Sequence, residues 1–191
     1  MAERYDPEAG VWTRLADMPV GRSLPAAETI GDTIYVLGDN RAMDRYDPAI
    51  DAWTRVGDIP RGLFGVSTAI VGDRLYAFGD FFDHDRVYEY SPAGNRWRER
   101  RSMPTPRVGG NAVTVGGKIY VVGGSHSRDD VANQVTRRTV EIYDPERDTW
   151  RAGPSTENPH DQGAAATVNG VIYAIDGYTL PGALCNSPAA R

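Results

Sequence analysis

Arginine recurs at a fixed distance from tryptophan along this chain, and its chemistry suits anion binding. Ten residues after each tryptophan the sequence has Arg22, Leu63, Arg107 and His160, and Arg61 lies two residues before the leucine. Guanidinium groups bind carboxylate or phosphate through forked hydrogen bonds. One interpretation is therefore a ring of cations that meets acidic groups of a partner. The other is that these arginines tie loops to neighbouring repeats, and the sequence leaves both open.

Three polar segments of variable length supply further candidates for binding. They are residues 39–43, 80–86 and 125–138. Phe81 and Phe82 are adjacent aromatic residues in the second segment, where one could serve as an exposed anchor for a partner or could fold back over a sheet edge. Arg128 lies in the longest segment, which has little apolar content. We predict that these segments form the partner-binding surface.

Histidine and carboxylate residues in and near these segments raise the question of a metal. The set comprises His84, His126, His160, Asp80, Asp83 and Asp85. These residues come from three different repeats and lack the short spacing of a metal-ligand motif, so no metal or other cofactor is predicted. His84 and His160 are kept as candidate partner contacts.

The sequence contains a fourfold repeat, and the fold of that repeat must position all of these residues. Each tryptophan follows one tyrosine by seven residues and precedes another by 23. The tryptophans are Trp12, Trp53, Trp97 and Trp150; the first tyrosines are Tyr5, Tyr46, Tyr90 and Tyr143, and the second are Tyr35, Tyr76, Tyr120 and Tyr173. From a second tyrosine to the next first tyrosine the interval is 11, 14 and then 23 residues, so one segment alone varies in length. Such a period indicates a repeat architecture.

Each repeat has the pattern of four antiparallel strands. Turn pairs such as Gly31-Asp32 and Asn169-Gly170 come four residues before each second tyrosine and suit tight hairpins. The strand before the turn is rich in small residues, and the strand after it is almost continuously apolar, which indicates burial on both faces. Asp-Pro after the first tyrosine begins another turn, and the tryptophan begins a half-exposed outer strand. Radial repetition of this unit predicts a β-propeller with the tyrosines and tryptophans as interior packing.

These motifs resemble the kelch repeat. The resemblance rests on a double glycine ending the second strand, a tyrosine in the third and a tryptophan in the fourth, with six residues between them. Gly123-Gly124 matches in full, whereas Gly38, Gly79 and Gly177 are half matches, and the likeness covers residues 5–178. The resemblance implies an all-β propeller of four-stranded antiparallel blades, with arginine near the mouth of its channel.

The strand count predicts three complete blades and two half-blades. The predicted propeller spans residues 1–178, with half-blades at 1–15 and 160–178, full blades at 22–56, 63–100 and 107–152, and an irregular tail at 179–191. The two halves could close a ring of four blades, but kelch relatives usually have more, so we expect a partial ring that is part of a larger propeller. An open ring exposes apolar blade faces, and self-association is then expected.

Composition limits the possible partners. The net charge of −5 disfavours binding to nucleic acid, and no apolar stretch reaches the eighteen or so residues of a membrane span. Cys185 is the one cysteine, which excludes an internal disulfide. The first residues lack the pattern of an export signal, so a cytoplasmic location is expected.

Three functional hypotheses follow. The leading one is a non-catalytic kelch module that recognises an acidic or polar protein segment through its loop face. The second is a sugar-processing enzyme similar to sialic-acid epimerases; it needs a carboxylate and a partner acid in the channel, and Glu28 is a lone candidate. A copper-radical oxidase is excluded because Cys185 lies outside the repeats. The third is a truncated structural array without a ligand of its own.

Overall fold

Every regular element in the described part of the chain is a β-strand. The computed structural model describes residues 1–38, 41–60, 62–63, 65–79, 84–126, 135–175 and 177. Arg61, Phe81, Phe82, Arg128 and the predicted tail 179–191 lie outside these ranges. Within them, no helical segment has the length and apolar character of a membrane span.

Three four-stranded antiparallel sheets stand between two hairpins. The N-terminal half-blade contains β1 (Ala2–Asp6) and β2 (Val11–Leu15). The first blade contains β3 (Ala26–Ile30), β4 (Thr33–Leu37), β5 (Met43–Asp47) and β6 (Ala52–Val56). The second contains β7 (Ser67–Val71), β8 (Arg74–Phe78), β9 (Val87–Ser91) and β10 (Arg96–Arg100). The third contains β11 (Asn111–Val115), β12 (Lys118–Val122), β15 (Val140–Asp144) and β16 (Thr149–Ala152), and its long loop carries the short pair β13 (Ser125–His126) and β14 (Val135–Thr136). The C-terminal half-blade contains β17 (Ala164–Val168) and β18 (Val171–Ile175). The predicted all-β architecture of three blades and two half-blades is confirmed.

Tight hairpins set the order of strands inside each blade. Gly31 and Gly72 have φ values of +58° and +61°, which a glycine adopts without strain. The innermost strands β3, β7, β11 and β17 pack side by side in that order. Their small residues allow this close approach around the axis of the channel.

The hydrophobic core lies between blades. Leu37 and Met43 of the first blade form one buried cluster with Leu75 and Tyr90 of the second. A second cluster joins the second blade to the third through the side chains of Phe78, Ile119, Val121 and Tyr143. Each complete blade is therefore stabilised mainly by stacking on its neighbours.

A recurring link explains why tyrosine and tryptophan lie seven residues apart. In the third blade the Tyr143 hydroxyl donates to Asp148 Oδ1 at 2.6 Å, and the same oxygen accepts from the backbone N–H of Arg101 at 2.9 Å. Trp150 Nε1 donates to the Arg101 carbonyl oxygen at 2.9 Å. The same link joins Tyr46, Asp51 and Trp53 to Ala16, and Tyr90, Asn95 and Trp97 to Gly57. We call this the Tyr-Asx-Trp link; it bonds each blade to the one before it.

The two half-blades leave the ring open. Each forms its own two-stranded sheet, and no strand of the described part pairs with the outer edge of β1 or of β18. Trp12 is 68% exposed, Tyr5 47% and Tyr173 49%, whereas the corresponding tyrosines of complete blades, such as Tyr46 and Tyr76, are buried. The predicted partial ring is therefore the observed form, and closure within one chain is not observed.

Candidate functional site

The variable loops and the connections between blades gather at one end of the propeller. In each complete blade a backbone N–H of the connection after the fourth strand donates to the loop between the second and third strands. These bonds run from Ile59 to Arg41 at 2.8 Å, from Met103 to Asp85 at 2.8 Å and from Thr156 to Arg138 at 2.9 Å. We call this end, where the innermost strands begin, the loop face.

Arg107 is buried inside its own blade. Its Nη1 donates to the carbonyl oxygens of Gly123 at 2.8 Å and Thr139 at 3.1 Å, and its Nη2 pairs with Glu141 Oε2 at 2.6 Å. Burial lowers the pKa of Arg107, and the neighbouring carboxylate of Glu141 opposes this shift. The guanidinium group holds the two strands that flank the long loop.

The Nη atoms of Arg22 make corresponding contacts in the first blade. Its Nη1 donates to the carbonyl oxygens of Gly38 at 3.1 Å and Ala42 at 2.7 Å, and its Nη2 pairs with Asp44 Oδ2. The side chains of Arg22 and Asp44 are fully buried. The guanidinium groups of both arginines are therefore paired with carboxylates of their own blades, and a partner could not reach these groups without breaking an ion pair.

The second blade replaces this ion pair with apolar and aromatic groups. Leu63 occupies the arginine position, and Tyr88 stands where Asp44 and Glu141 stand in the other two blades, two residues before the repeat tyrosine. Both side chains are buried in the same cluster. The sequence alone could have identified this pairing. Where the position ten residues after a tryptophan is arginine, the position two residues before the next repeat tyrosine of that blade is Asp or Glu. Where the first position is leucine, the second is tyrosine.

A depression at the loop face is one of two concave sites in the described part of the chain that bear on function. Its volume is about 310 Å³. The described residues that line it are uncharged: Leu24, Pro25, Gly65, Val66, Gly109, Gly110, Asn111 and Gln162. We call it the mouth. Its glycines present backbone N–H and C=O groups without side chains over them, so it can bind polar groups in a narrow space.

Asp161 lies behind the wall of the mouth. A side chain at Gly109 would overlap its Oδ1 atom, so glycine is required there. Both carboxylate oxygens of Asp161 are buried, and neither has a hydrogen-bond partner of normal geometry. Burial raises its pKa, and this outweighs the Ser125 hydroxyl and the Gln162 backbone N–H, which favour the charged form. The sequence did not single out this residue.

A second cavity lies along the channel between the innermost strands, with a volume of about 260 Å³. Glu28 is the one carboxylate among its described lining residues. Its Oε1 accepts a hydrogen bond from Thr68 Oγ1 of the next blade at 2.7 Å. The remaining lining residues come from β7, β11 and β17 and carry methyl and hydroxyl groups.

His84 and His160 bond the blades through their backbones. The His84 carbonyl oxygen accepts from the Arg107 N–H at 2.7 Å, and the His160 carbonyl oxygen accepts from the Gly124 N–H at 2.6 Å. Among the residues that the structure describes, no three histidine, cysteine or carboxylate side chains are grouped to hold a metal ion.

Comparison with known proteins identifies the repeat. A family model described as the kelch motif matches residues 106–156. Alpha-scruin of Limulus polyphemus is 30% identical over 93 residues, which are 49% of this chain and 10% of that protein. Residues 106–156 of this chain therefore contain a kelch motif. The solved structure of YjhT has the same fold, with a TM-score of 0.77 and 19% identity over 85% of this chain and 60% of that one.

The spacing of blades explains the glycines of the kelch motif. A Cβ at Gly123 would overlap the carbonyl oxygen of His160, and one at Gly79 would overlap that of Arg107. A Cβ at Gly124 would lie 2.8 Å from the Val108 carbonyl oxygen. The second strands β8 and β12 are therefore followed by glycine because the backbone that leads into the next blade passes directly over Gly79 and Gly123, whereas Gly38 lies against the backbone of Leu24 and Pro25 in its own blade.

Proposed function

We propose that this chain is a non-catalytic kelch module that binds a polar segment of a protein at the mouth. The observation that carries the proposal is the mouth itself: a depression of about 310 Å³ at the loop face, lined by residues of the three complete blades and of the C-terminal half-blade. Backbone amides and the side chains of Asn111 and Gln162 offer both donors and acceptors there. A peptide in extended conformation presents the matching groups.

A polar segment fits this site better than an acidic one. The acidic preference rested on arginines, but Arg22 and Arg107 are bonded to carboxylates and carbonyl oxygens inside their blades. The described lining of the mouth has no cation. Behind its glycines lie the carboxylate of Asp161, next to Gly109, and the buried side chain of Arg107, next to Gly110, which is already paired with Glu141. An anionic ligand would gain no ion pair from these groups.

A charge placed on the rim of the mouth tests the proposal. Leu24 lines the mouth and is 61% exposed, so Leu24→Asp adds a carboxylate without emptying the core. Its φ of +46° is tolerated by aspartate at least as well as by leucine. Peptides selected from a displayed random library should lose about tenfold or more in affinity for this variant, measured by fluorescence anisotropy.

Ile50 supplies the matched control. It is 71% exposed and lies in the turn between β5 and β6, at the opposite end of the propeller. Ile50→Asp should leave peptide affinity within about twofold. Equal loss in both variants, or a library that yields no binders, contradicts binding at the mouth.

The enzyme alternative depends on Glu28. Sugar isomerisation needs a second acid or base opposite the first, and the described lining of the channel cavity offers hydroxyl groups in place of one. Exchange between the anomers of a sialic acid, followed by proton NMR, decides the matter. Acceleration that disappears in Glu28→Gln would replace the binding proposal with an enzymatic one.

A further inference from the structure

Asp161 is a buried carboxylate for which the described part of the fold supplies no countercharge. It is 1% exposed, and neither Oδ atom has a hydrogen-bond partner of normal geometry. The groups that favour its charged form are the Ser125 hydroxyl and the Gln162 backbone N–H, and no cation is among them. That N–H is already bonded to the Gly109 carbonyl oxygen at 2.8 Å. A buried polar group without partners opposes folding, so its presence needs a reason other than packing.

The corresponding position of the third blade shows that packing there does not require a carboxylate. Val108 follows Arg107, and Asp161 follows His160, in the column ten residues after a tryptophan. Val108 is 2% exposed, so an apolar side chain fills this position in a complete blade. Because valine buries no polar group, we expect Asp161 to be less favourable to folding than valine at the same position.

The Asp161 carboxylate lies directly behind the wall of the mouth. A side chain at Gly109 would overlap Asp161 Oδ1, so this oxygen is in contact with the backbone of Gly109. Gly109 and Gln162, the residue after Asp161, both line the mouth. A ligand that touches Gly109 is therefore separated from the carboxylate by one residue of backbone. Coulomb attraction over such a distance is strong where water is excluded.

The arginine behind the mouth is balanced by a carboxylate of its own. Arg107 lies next to Gly110, and its Nη2 pairs with Glu141 Oε2 at 2.6 Å. The charges of this pair cancel, whereas Asp161 has no such counterpart among the groups that act on it. The wall of the mouth at Gly109 therefore favours a cation and disfavours an anion.

We propose that the mouth binds a cationic side chain, lysine or arginine, of the partner segment, with Asp161 as the countercharge behind Gly109. The inference rests on the proposed binding of a polar segment at the mouth and names the charge that this segment carries. Carbonyl oxygens of the lining, and the side-chain oxygens of Asn111 and Gln162, accept hydrogen bonds from an ammonium or guanidinium group. The carboxylate acts across Gly109 and does not touch the ligand. A bound cation favours the charged form of Asp161 and so opposes the effect of its burial.

Two small amides test the charge preference directly. N-acetyl-lysine amide carries the cation, and N-acetyl-norleucine amide has the same aliphatic side chain without the ammonium group. Titration of the isotope-labelled protein, followed by NMR, should shift the backbone amide signals of Gly109, Gly110 and Asn111. The affinity for the lysine amide should be at least about tenfold higher than that for the norleucine amide. Equal affinities, or no shifts at these residues with either amide, overturn the proposal.

Substitutions of Asp161 separate binding from structure. Asp161→Asn keeps the shape of the side chain without its charge, Asp161→Val copies Val108, and both should remove the preference for the lysine amide. Asp161→Val should not lower the midpoint of thermal unfolding, because the group removed is an unpaired buried carboxylate. The control is Asp32→Asn, in the exposed turn between β3 and β4 at the opposite end of the propeller; it changes the net charge equally and should keep the preference. A preference that survives both Asp161 substitutions, or a large loss of stability in the valine variant, assigns Asp161 to structure alone.

Peptides selected from the displayed library distinguish this inference from the proposed function. They should contain lysine or arginine, and norleucine in its place should lower affinity about tenfold for the parent chain but not for Asp161→Asn. Leu24→Asp lowers affinity by removing an apolar contact, and its exposed carboxylate should leave the ratio of lysine to norleucine affinity undiminished. Peptides that bind at the mouth without a cation overturn the inference and leave the proposed function standing. A lysine amide that binds there while the library yields no binders does the reverse.

Discussion

At the scale of single residues, the buried arginines are structural groups. The Nη atoms of Arg22 and of Arg107 each donate to two carbonyl oxygens and pair with one carboxylate, and Arg107 Nε also donates to the Thr105 carbonyl oxygen. A buried ion pair contributes little net stability relative to apolar residues of similar size, but loss of one partner leaves a buried charge without solvent or counterion. Leu63 and Tyr88 of the second blade are buried at the same positions, so the fold also forms with an apolar and an aromatic residue in place of the ion pair.

Arg107→Ala should therefore reduce the free energy of unfolding by about 3–5 kcal/mol, because Glu141 is left buried and unpaired. The double substitution Arg107→Leu with Glu141→Tyr, which copies the second blade, should recover most of this loss. Chemical denaturation measures both. Arg98→Ala, on the exposed side of β10, is the control and should change stability by less than about 0.5 kcal/mol. An Arg107→Ala variant that has normal stability but fails to bind peptide would show instead that Arg107 takes part in binding.

At the scale of elements, the distance between blades depends on the glycines that follow the second strands β8 and β12. The backbone before β17 passes over Gly123, and that before β11 passes over Gly79. The Tyr-Asx-Trp link then fastens the outer strands of the same blades. Inner and outer edges are thus held by different groups, which is why the kelch motif contains residues so far apart in sequence.

Gly123→Ala tests this spacing against a matched glycine. Gly123 and Gly116 both have positive φ, +67° and +56°, so alanine is strained by roughly 1–2 kcal/mol at either position. A side-chain carbon added at Gly116 would have nothing within 4 Å, whereas one added at Gly123 would meet the His160 carbonyl oxygen. Urea titrations should show a loss at Gly123→Ala at least about 2 kcal/mol larger than at Gly116→Ala. Equal losses would mean that the blades can move apart without cost.

At the scale of the whole molecule, aromatic side chains packed between blades contribute to the stability of the fold. Burial raises the pKa of Tyr76 to about 12, with a further contribution from Glu89. Burial also raises the pKa of Tyr90 to about 12, with a further contribution from Tyr35. These hydroxyl groups stay protonated in the folded chain at pH values where an unfolded chain would lose their protons.

The free energy of unfolding should consequently fall as the pH rises from about 10 towards 12. A raised tyrosine pKa contributes stability that is fully present below the unfolded pKa and is lost as the pH approaches the folded value. Denaturation at pH 8, 10 and 11, with tyrosinate absorbance as a second readout, measures this. Tyr90→Phe should flatten the dependence, and an unchanged slope in that variant would assign the effect to other groups.

The repeat, the four strands in each unit, their turns and the open ring were predictable from the sequence. Turn glycines, small-residue strands and apolar strands act over a few residues, and the repeat made the same local pattern visible four times. The kelch resemblance depended on the same positions. Trp12 was the exception: its pattern matches that of Trp53, yet it is 68% exposed in the described structure.

Only the tertiary structure decided where the arginines point and what forms the concave site. A guanidinium group at the end of a strand can reach outward to a partner or inward to a carboxylate, and the choice depends on residues such as Glu141 that lie far along the chain. The mouth likewise combines residues from separate blades, including Leu24 and Gln162. Local sequence determines strands and turns because their hydrogen bonds are short in range; burial and charge pairing between distant segments exist only after the blades have stacked.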